Sequence, residues 1–177
     1  MIDLSEYLNK YQDLIASDEV TLKLSEFGES LELIKASNGR LLLFGNGAAA
    51  SIASHAALDF TKQGKLTSLC FHDAALLTAY ANDYGYENAY KEIIKNHYQQ
   101  GDLCIFISVS GESPNIVTAA QYCQSQNYPA ISFSGRKRDN ALSMLTQTSF
   151  WVDSEAYNIV ENIHSIWLLS MVDYLIG

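Results

Sequence analysis

The chain has 177 residues, enough for one domain with a sizeable buried core. Hydrophobic residues make up 48% of it and charged residues 18%, which excludes an intrinsically disordered chain. The net charge of −9 argues against binding to nucleic-acid phosphates or to an anionic membrane surface, though not against a small anion held in a local pocket.

The N-terminal stretch MIDLSEYLNKYQDL is acidic and amphipathic. It lacks the basic and apolar regions of a signal peptide, and no run approaches ~18 consecutive apolar residues. Together these predict a soluble cytoplasmic protein with no membrane span. Leu4, Tyr7, Leu8 and Tyr11, then Leu22, Leu24, Phe27, Leu31, Leu33 and Ile34, recur at helical spacing. They predict two N-terminal helices with a break near Ser17-Asp18, the second ending at ASNGR with Gly39 just past its cap.

Five continuous apolar runs follow, at 40–45, 67–71, 103–108, 129–134 and 149–152. Continuous rather than alternating runs suit strands covered on both faces. Between them lie helical patterns at 48–63, at 74–81 with 86–99, at 114–126 and at 140–146, and a last long helix spans 155–176. Alternation of strand and helix predicts an α/β fold, with a parallel sheet between helical layers. Pro114 suits the first turn of a helix and Pro129 the start of a strand. Cys70, Cys104 and Cys123 are odd in number and show no CxxC spacing, so they read as reduced core thiols.

Two strand-to-helix junctions carry chemistry. In ISVSGESPN, Ser108, Ser110 and Ser113 surround Gly111 at the end of one strand and the start of a helix. Ligands of a parallel sheet collect at the carboxyl ends of strands, where a helix N-terminus offers free N–H groups and partial positive charge. Three hydroxyls there suit the oxygens of a terminal phosphate. Glu112 is the awkward member: it must point away from such a phosphate or meet a cation, and Arg136, Lys137 and Arg138 follow the next strand. The second junction is FGNGAAAS. Gly45-x-Gly47-x-x-Ala50 also fits the dinucleotide fingerprint, with Asp73 loosely placed for a ribose. A dinucleotide site would leave the serine loop without a role.

Taken together, GNGAAASIASHAALDF, LTAYANDYGYENAY, GDLCIFISVSGESPNIV and VENIHSIWLL resemble the SIS-domain family, and within it the phosphoheptose isomerases. The resemblance covers the N-terminal helical pair and the total length. It implies a single SIS domain over residues 1–177, a three-layer αβα sandwich with a five-stranded parallel sheet and an N-terminal helical extension. It implies a homotetramer with sites built across subunit boundaries, and interconversion of sedoheptulose 7-phosphate with D-glycero-D-manno-heptose 7-phosphate. By residue, it implies that Ser108, Val109, Ser110 and Ser113 hold the phosphate and that Asn46, Gly47 and Ala48 touch the sugar. Asn82 and Asp83 would meet its hydroxyls, with Glu161 also at the substrate. His55 and Asp59 would be catalytic, Asp59 as general base, and His55, Asp59 and Glu161 would hold zinc.

The chain departs from that pattern at several positions, among them Glu161 in place of a glutamine and Ala48 and Ala49 in place of glycine and serine. Asp59 stands where the isomerases carry the longer glutamate, and Leu169 stands where they carry a second metal-facing histidine. As a bare i, i+4 pair, His55 and Asp59 read equally as a helix-surface hydrogen bond. His164 reads as a packed histidine that would reach a metal only if its helix were rotated. An aldose–ketose isomerase needs an acid–base group at C1 and C2 and a stabiliser for the enediolate oxygen. The departures therefore leave two functions open: an isomerase with a depleted zinc site, and a phosphosugar-binding or regulatory protein that acts through protein contacts.

Overall fold

The computed structural model describes residues 3–177; Met1 and Ile2 of the N-terminal stretch lie outside the described residues. The elements run α1 (Leu4–Ile15), α2 (Asp18–Ala36), β1 (Leu41–Gly45), α3 (Ala48–Lys62), β2 (Ser68–Cys70), α4 (Ala74–Tyr84), α5 (Ala89–His97), β3 (Leu103–Ser108), α6 (Pro114–Gln126), β4 (Ala130–Gly135), β5 (Thr148–Val152) and α7 (Tyr157–Ile176), with a 3₁₀ turn at Tyr86–Asn88. The five strands form one parallel sheet in the order β2-β1-β3-β4-β5. This is the expected α/β sandwich.

Strand periodicity sorts the core into two layers. Leu41 and Leu43 face a cluster with Phe27, Phe60, Phe133, Ile163 and Trp167, contributed by the sheet with α2, α3 and α7. Leu42 and Phe44 face the opposite cluster with Tyr90, Ile93, Phe106, Ile116 and Cys123, contributed with α5 and α6. Both faces are covered, so the strands are apolar throughout, as their unbroken runs predict. Cys104 and Cys123 are buried and Cys70 is partly so; all three are free thiols. By length and composition α7 could cross a membrane, but half of its apolar window is buried within this fold.

The break between the first two helices falls at Ser17, whose hydroxyl accepts from the Val20 N–H and caps α2. At the other end of α2 the left-handed residue is Asn38 (φ 57°), not Gly39. Gly39 is required for another reason: a β-carbon there would lie 2.2 Å from the Gly101 carbonyl oxygen. Pro114 opens α6 as expected, whereas Pro129 stands one residue before β4.

The expected helix at 140–146 is absent, and turns occupy that segment. Its polar side chains compete with a helical backbone for hydrogen bonds. Asn140 Oδ1 accepts from the Ser143 N–H, its Nδ2 donates to Lys137 O and Ser134 Oγ, and the Ser143 hydroxyl donates to Arg138 O. The β4–β5 crossover is thus an irregular loop.

The strand order places the switch point between β1 and β3: the chain leaves β1 toward β2 on one side and later returns to β3 on the other. In such sheets the ligand crevice lies outside the carboxyl ends of those two strands. Here the ends carry the glycine turn and the serine loop, and Gly45 pairs in register with Ile107.

Candidate functional site

A cleft of about 150 Å³ opens at that point, lined by Asn46, Ala49, Ile107, Ser108, Val109, Ser110, Ser113, Tyr157 and Glu161. Its floor is the serine loop. Ser113 occupies the N-cap of α6, yet its hydroxyl caps no N–H of its own helix. It lies 3.2 Å from the Ser108 hydroxyl instead. Ser110 Oγ accepts from the Glu112 N–H at 3.2 Å and keeps its own proton to donate. Pro114 has no N–H, and the Ile116 and Val117 N–H groups donate to Ser113 O, so it is the serine hydroxyls that converge where the helix dipole is positive.

The loop is shaped from behind. Gly111 adopts φ 67°, and a β-carbon there would sit 2.0 Å from Asn140 Oδ1. Leu142 N–H donates to Gly111 O. Glu112 turns outward, its Oε1 accepting from the Ala141 N–H at 3.0 Å. That turns the carboxylate away from the serine hydroxyls without a cation. Arg136 instead stacks on Tyr157 and lies beside Glu155, while Arg138 pairs with Glu19.

The opposite wall is the glycine turn. Gly45 lets α3 pack directly on β1, since a β-carbon would meet the Ala49 carbonyl carbon at 2.6 Å. Gly47 caps α3 at φ 56° and ψ −123°, a conformation that L side chains rarely adopt. The dinucleotide reading loses its ribose partner here, because Asp73 caps α4 through the Ala75 and Leu76 N–H groups. Asn46 is bonded to Asn115 and to the Tyr86 hydroxyl. Neither Asn115 nor Tyr86 stood out in the sequence. The available signal was an asparagine on an apolar stripe, Asn115 with Ala119 and Cys123, all buried on one face of α6.

Glu161 is the carboxylate of the cleft, and burial raises its pKa above the usual carboxylate range. The other acid–base candidates stand elsewhere in this chain. Asp59 is ten residues along α3 from Ala49, about 15 Å at the helical rise. It pairs with His55 at 3.2 Å, and the His55 side chain is 56% exposed. Ala48, Asn82 and Asp83 are exposed and outside the cleft lining. The Asn82 amide donates to the Asp83 carboxylate beside it. His164 is fully buried: its Nε2 lies 3.0 Å from Ser134 O, and burial pulls its pKa down to about 4. It is a neutral core histidine, and α7 is not rotated to expose it.

The expected zinc site does not fit the single chain. Among the described residues no three histidine, cysteine, aspartate or glutamate side chains gather to hold a metal. His55 and Asp59 supply two donors, and Glu161 belongs to the cleft beside the serine loop. Leu169 packs against the apolar core. A catalytic zinc takes three protein ligands plus water, so one subunit alone falls short.

The fold recurs in other proteins. A phosphoheptose isomerase of Thermodesulfovibrio yellowstonii is 31% identical over 163 residues, covering 83% of this chain and 81% of that one. The structure of phosphoheptose isomerase from Neisseria gonorrhoeae superposes with a TM-score of 0.87 at 23% identity, over 97% of this chain and 94% of that one. A Vibrio vulnificus NanR protein complexed with ManNAc-6P shares the fold at TM-score 0.70 and 15% identity, over 95% of this chain and 59% of that one. The SIS domain matches residues 6–135, from the N-terminal helices through the glycine turn and serine loop to the end of β4. With that span and that relative, this chain belongs to the SIS-domain family.

Proposed function

We propose that the protein is a phosphosugar aldose–ketose isomerase that takes sedoheptulose 7-phosphate or a sugar phosphate of similar length. One observation carries the reading: Ser108, Ser110 and Ser113 converge at the N-terminus of α6, with Ser113 free of any capping bond. Such a pocket holds a terminal phosphate and leaves the sugar to extend past Asn46 and Glu161. The phosphoheptose isomerases among the relatives support the substrate class.

Isomerisation moves a proton between C1 and C2 through an enediol. Within one chain Glu161 is the carboxylate at the cleft, placed to hydrogen-bond the sugar. His55 and Asp59 lie on a face of α3 that also exposes Leu58 at 59%. We assign that face to a subunit contact in a cytoplasmic homotetramer of one SIS domain per chain. There the pair would reach a cleft completed by a second copy, with Asp59 as base. No step here is routed through a metal, and none requires a nucleic acid or a membrane.

The second reading is a phosphosugar-binding regulator, favoured by Leu169 and by the dispersed metal donors. Incubation with sedoheptulose 7-phosphate in D₂O separates the two. Deuterium entering the sugar beside the carbonyl, with an aldose heptose 7-phosphate as product, supports the isomerase. Calorimetric binding without exchange supports the regulator. Neither binding nor exchange overturns the phosphosugar reading.

A further inference from the structure

The two loops of the cleft are joined across the switch point by one buried amide. Asn115 is 1% exposed. Its Oδ1 accepts from the Ile116 N–H at 3.0 Å, which fixes that end of the side chain as the carbonyl. Its Nδ2 must then face Asn46, and it donates to Asn46 Oδ1 at 2.9 Å. Asn46 Nδ2 donates back to Asn115 Oδ1, also at 2.9 Å. The Tyr86 hydroxyl donates to the same Asn46 Oδ1, again at 2.9 Å.

Counting groups shows what Asn46 has left. A side-chain carbonyl has two lone pairs, and both are taken, by Asn115 and by Tyr86. A side-chain amide nitrogen has two hydrogens, and only one is taken. Asn46 therefore brings to the cleft a single uncommitted group, an N–H. With the amide reversed it would present a carbonyl instead, and an acceptor oxygen on the ligand would meet repulsion. The choice traces back through Asn115 to the backbone of α6, the same helix whose N-terminus carries the serine loop.

We propose that Asn115 is a positioning residue: by fixing the Asn46 amide it makes the glycine turn a hydrogen-bond donor to an acceptor oxygen of the bound phosphosugar, a carbonyl or hydroxyl oxygen beyond the phosphate. The inference rests on the phosphosugar reading. It assigns the phosphate to the serine loop alone and the sugar contact to the Asn115–Asn46–Tyr86 relay. Phosphate and sugar affinity should therefore respond separately to substitution.

The test uses two probes, inorganic phosphate and sedoheptulose 7-phosphate, each titrated calorimetrically into the full chain. In Asn115→Ala the sugar phosphate should bind at least tenfold more weakly, while inorganic phosphate stays within twofold. A merely structural role at the start of α6 would distort the serine loop and weaken both probes together, and that result overturns the proposal. Unchanged affinity for both also overturns it. Tyr86 is 49% exposed, so Tyr86→Phe removes one hydroxyl without threatening the fold. It should lower sugar-phosphate affinity about threefold with phosphate unchanged, and it decides the matter if Asn115→Ala does not fold. Wild-type protein that binds neither probe overturns the phosphosugar reading and this inference with it. Binding of both probes, weakened together by Ser110→Ala with Ser113→Ala but unaffected by Asn115→Ala and Tyr86→Phe, overturns only this inference.

Discussion

Ser113 distinguishes the serine loop from an ordinary capped turn. A serine before a proline-led helix commonly accepts an N–H from the next turn; this one accepts none and faces Ser108. Replacing Ser110 and Ser113 by alanine should weaken phosphosugar binding at least tenfold, about 1.4 kcal/mol, in calorimetry on folded protein. His164 makes a separate prediction. Its pKa is about 4 in the fold against an ordinary 6.5, so below pH 6.5 the unfolded chain takes up a proton that the fold refuses. Stability should fall as pH drops from 6.5 toward 4 and lose this contribution fully below that window. The part due to His164 is roughly 2 kcal/mol by pH 5. Urea midpoints at pH 7 and pH 5 measure it, and His164→Asn should flatten that part of the dependence.

At the scale of elements, the end of the sheet opposite the cleft is held by one ion pair that the sequence does not announce. Arg40, just before β1, meets Asp102, before β3, through Nε–Oδ1 at 3.0 Å and Nη2–Oδ2 at 2.6 Å. Asp102 is 2% exposed and also accepts the Arg40 and Gln99 N–H groups. The pair fixes β1 against β3 at their amino ends, just as Asn46 and Asn115 join the segments beyond their carboxyl ends. Asp102→Ala leaves a guanidinium and two N–H groups without their acceptor and should cost about 3 kcal/mol in chemical denaturation. Phosphosugar affinity of the folded fraction should not change, because the pair lies at the far end of the strands from the cleft.

At the scale of the whole molecule, Phe27 and Trp167 are 2% and 1% exposed and belong to the core of a single chain. The surface offers other groups: Leu4, Leu8, Leu22 and Leu58 are each more than half exposed, and Ile166 and Tyr174 are exposed by 42% and 43%. Leu8 and Ile166 line a groove between α1 and α7 of about 600 Å³, together with Tyr7, Tyr11 and Leu169. A homotetramer that covers these side chains should give a tetrameric mass by light scattering at micromolar concentration. Leu8→Glu with Ile166→Glu should shift it to a smaller species and lower turnover, since His55 and Asp59 would lose the second copy. A wild-type monomer would contradict both the assembly and the shared site.

Local chemistry made much of this protein legible in its sequence. Unbroken apolar runs identify strands covered on both faces, Pro114 marks the start of α6, and three serines around Gly111 mark the loop that lines the cleft, because each feature acts over a few neighbouring residues. The segment at 140–146 misled for a physical reason: Asn140 and Ser143 spend their side chains on backbone groups that a helix would have used. Other features depend on residues far apart in the chain. Glu112 finds Ala141, Arg40 finds Asp102, and Asn46 finds Asn115 only after the sheet has set β1 beside β3. The family resemblance implies His55, Asp59 and Glu161 as three metal donors, yet packing of α3 and α7 leaves the first two paired on a helix face and the third in the cleft beside the serine loop. Sequence supplies the chemical groups and their local geometry; distances between separate elements are set by how two apolar layers close on the sheet.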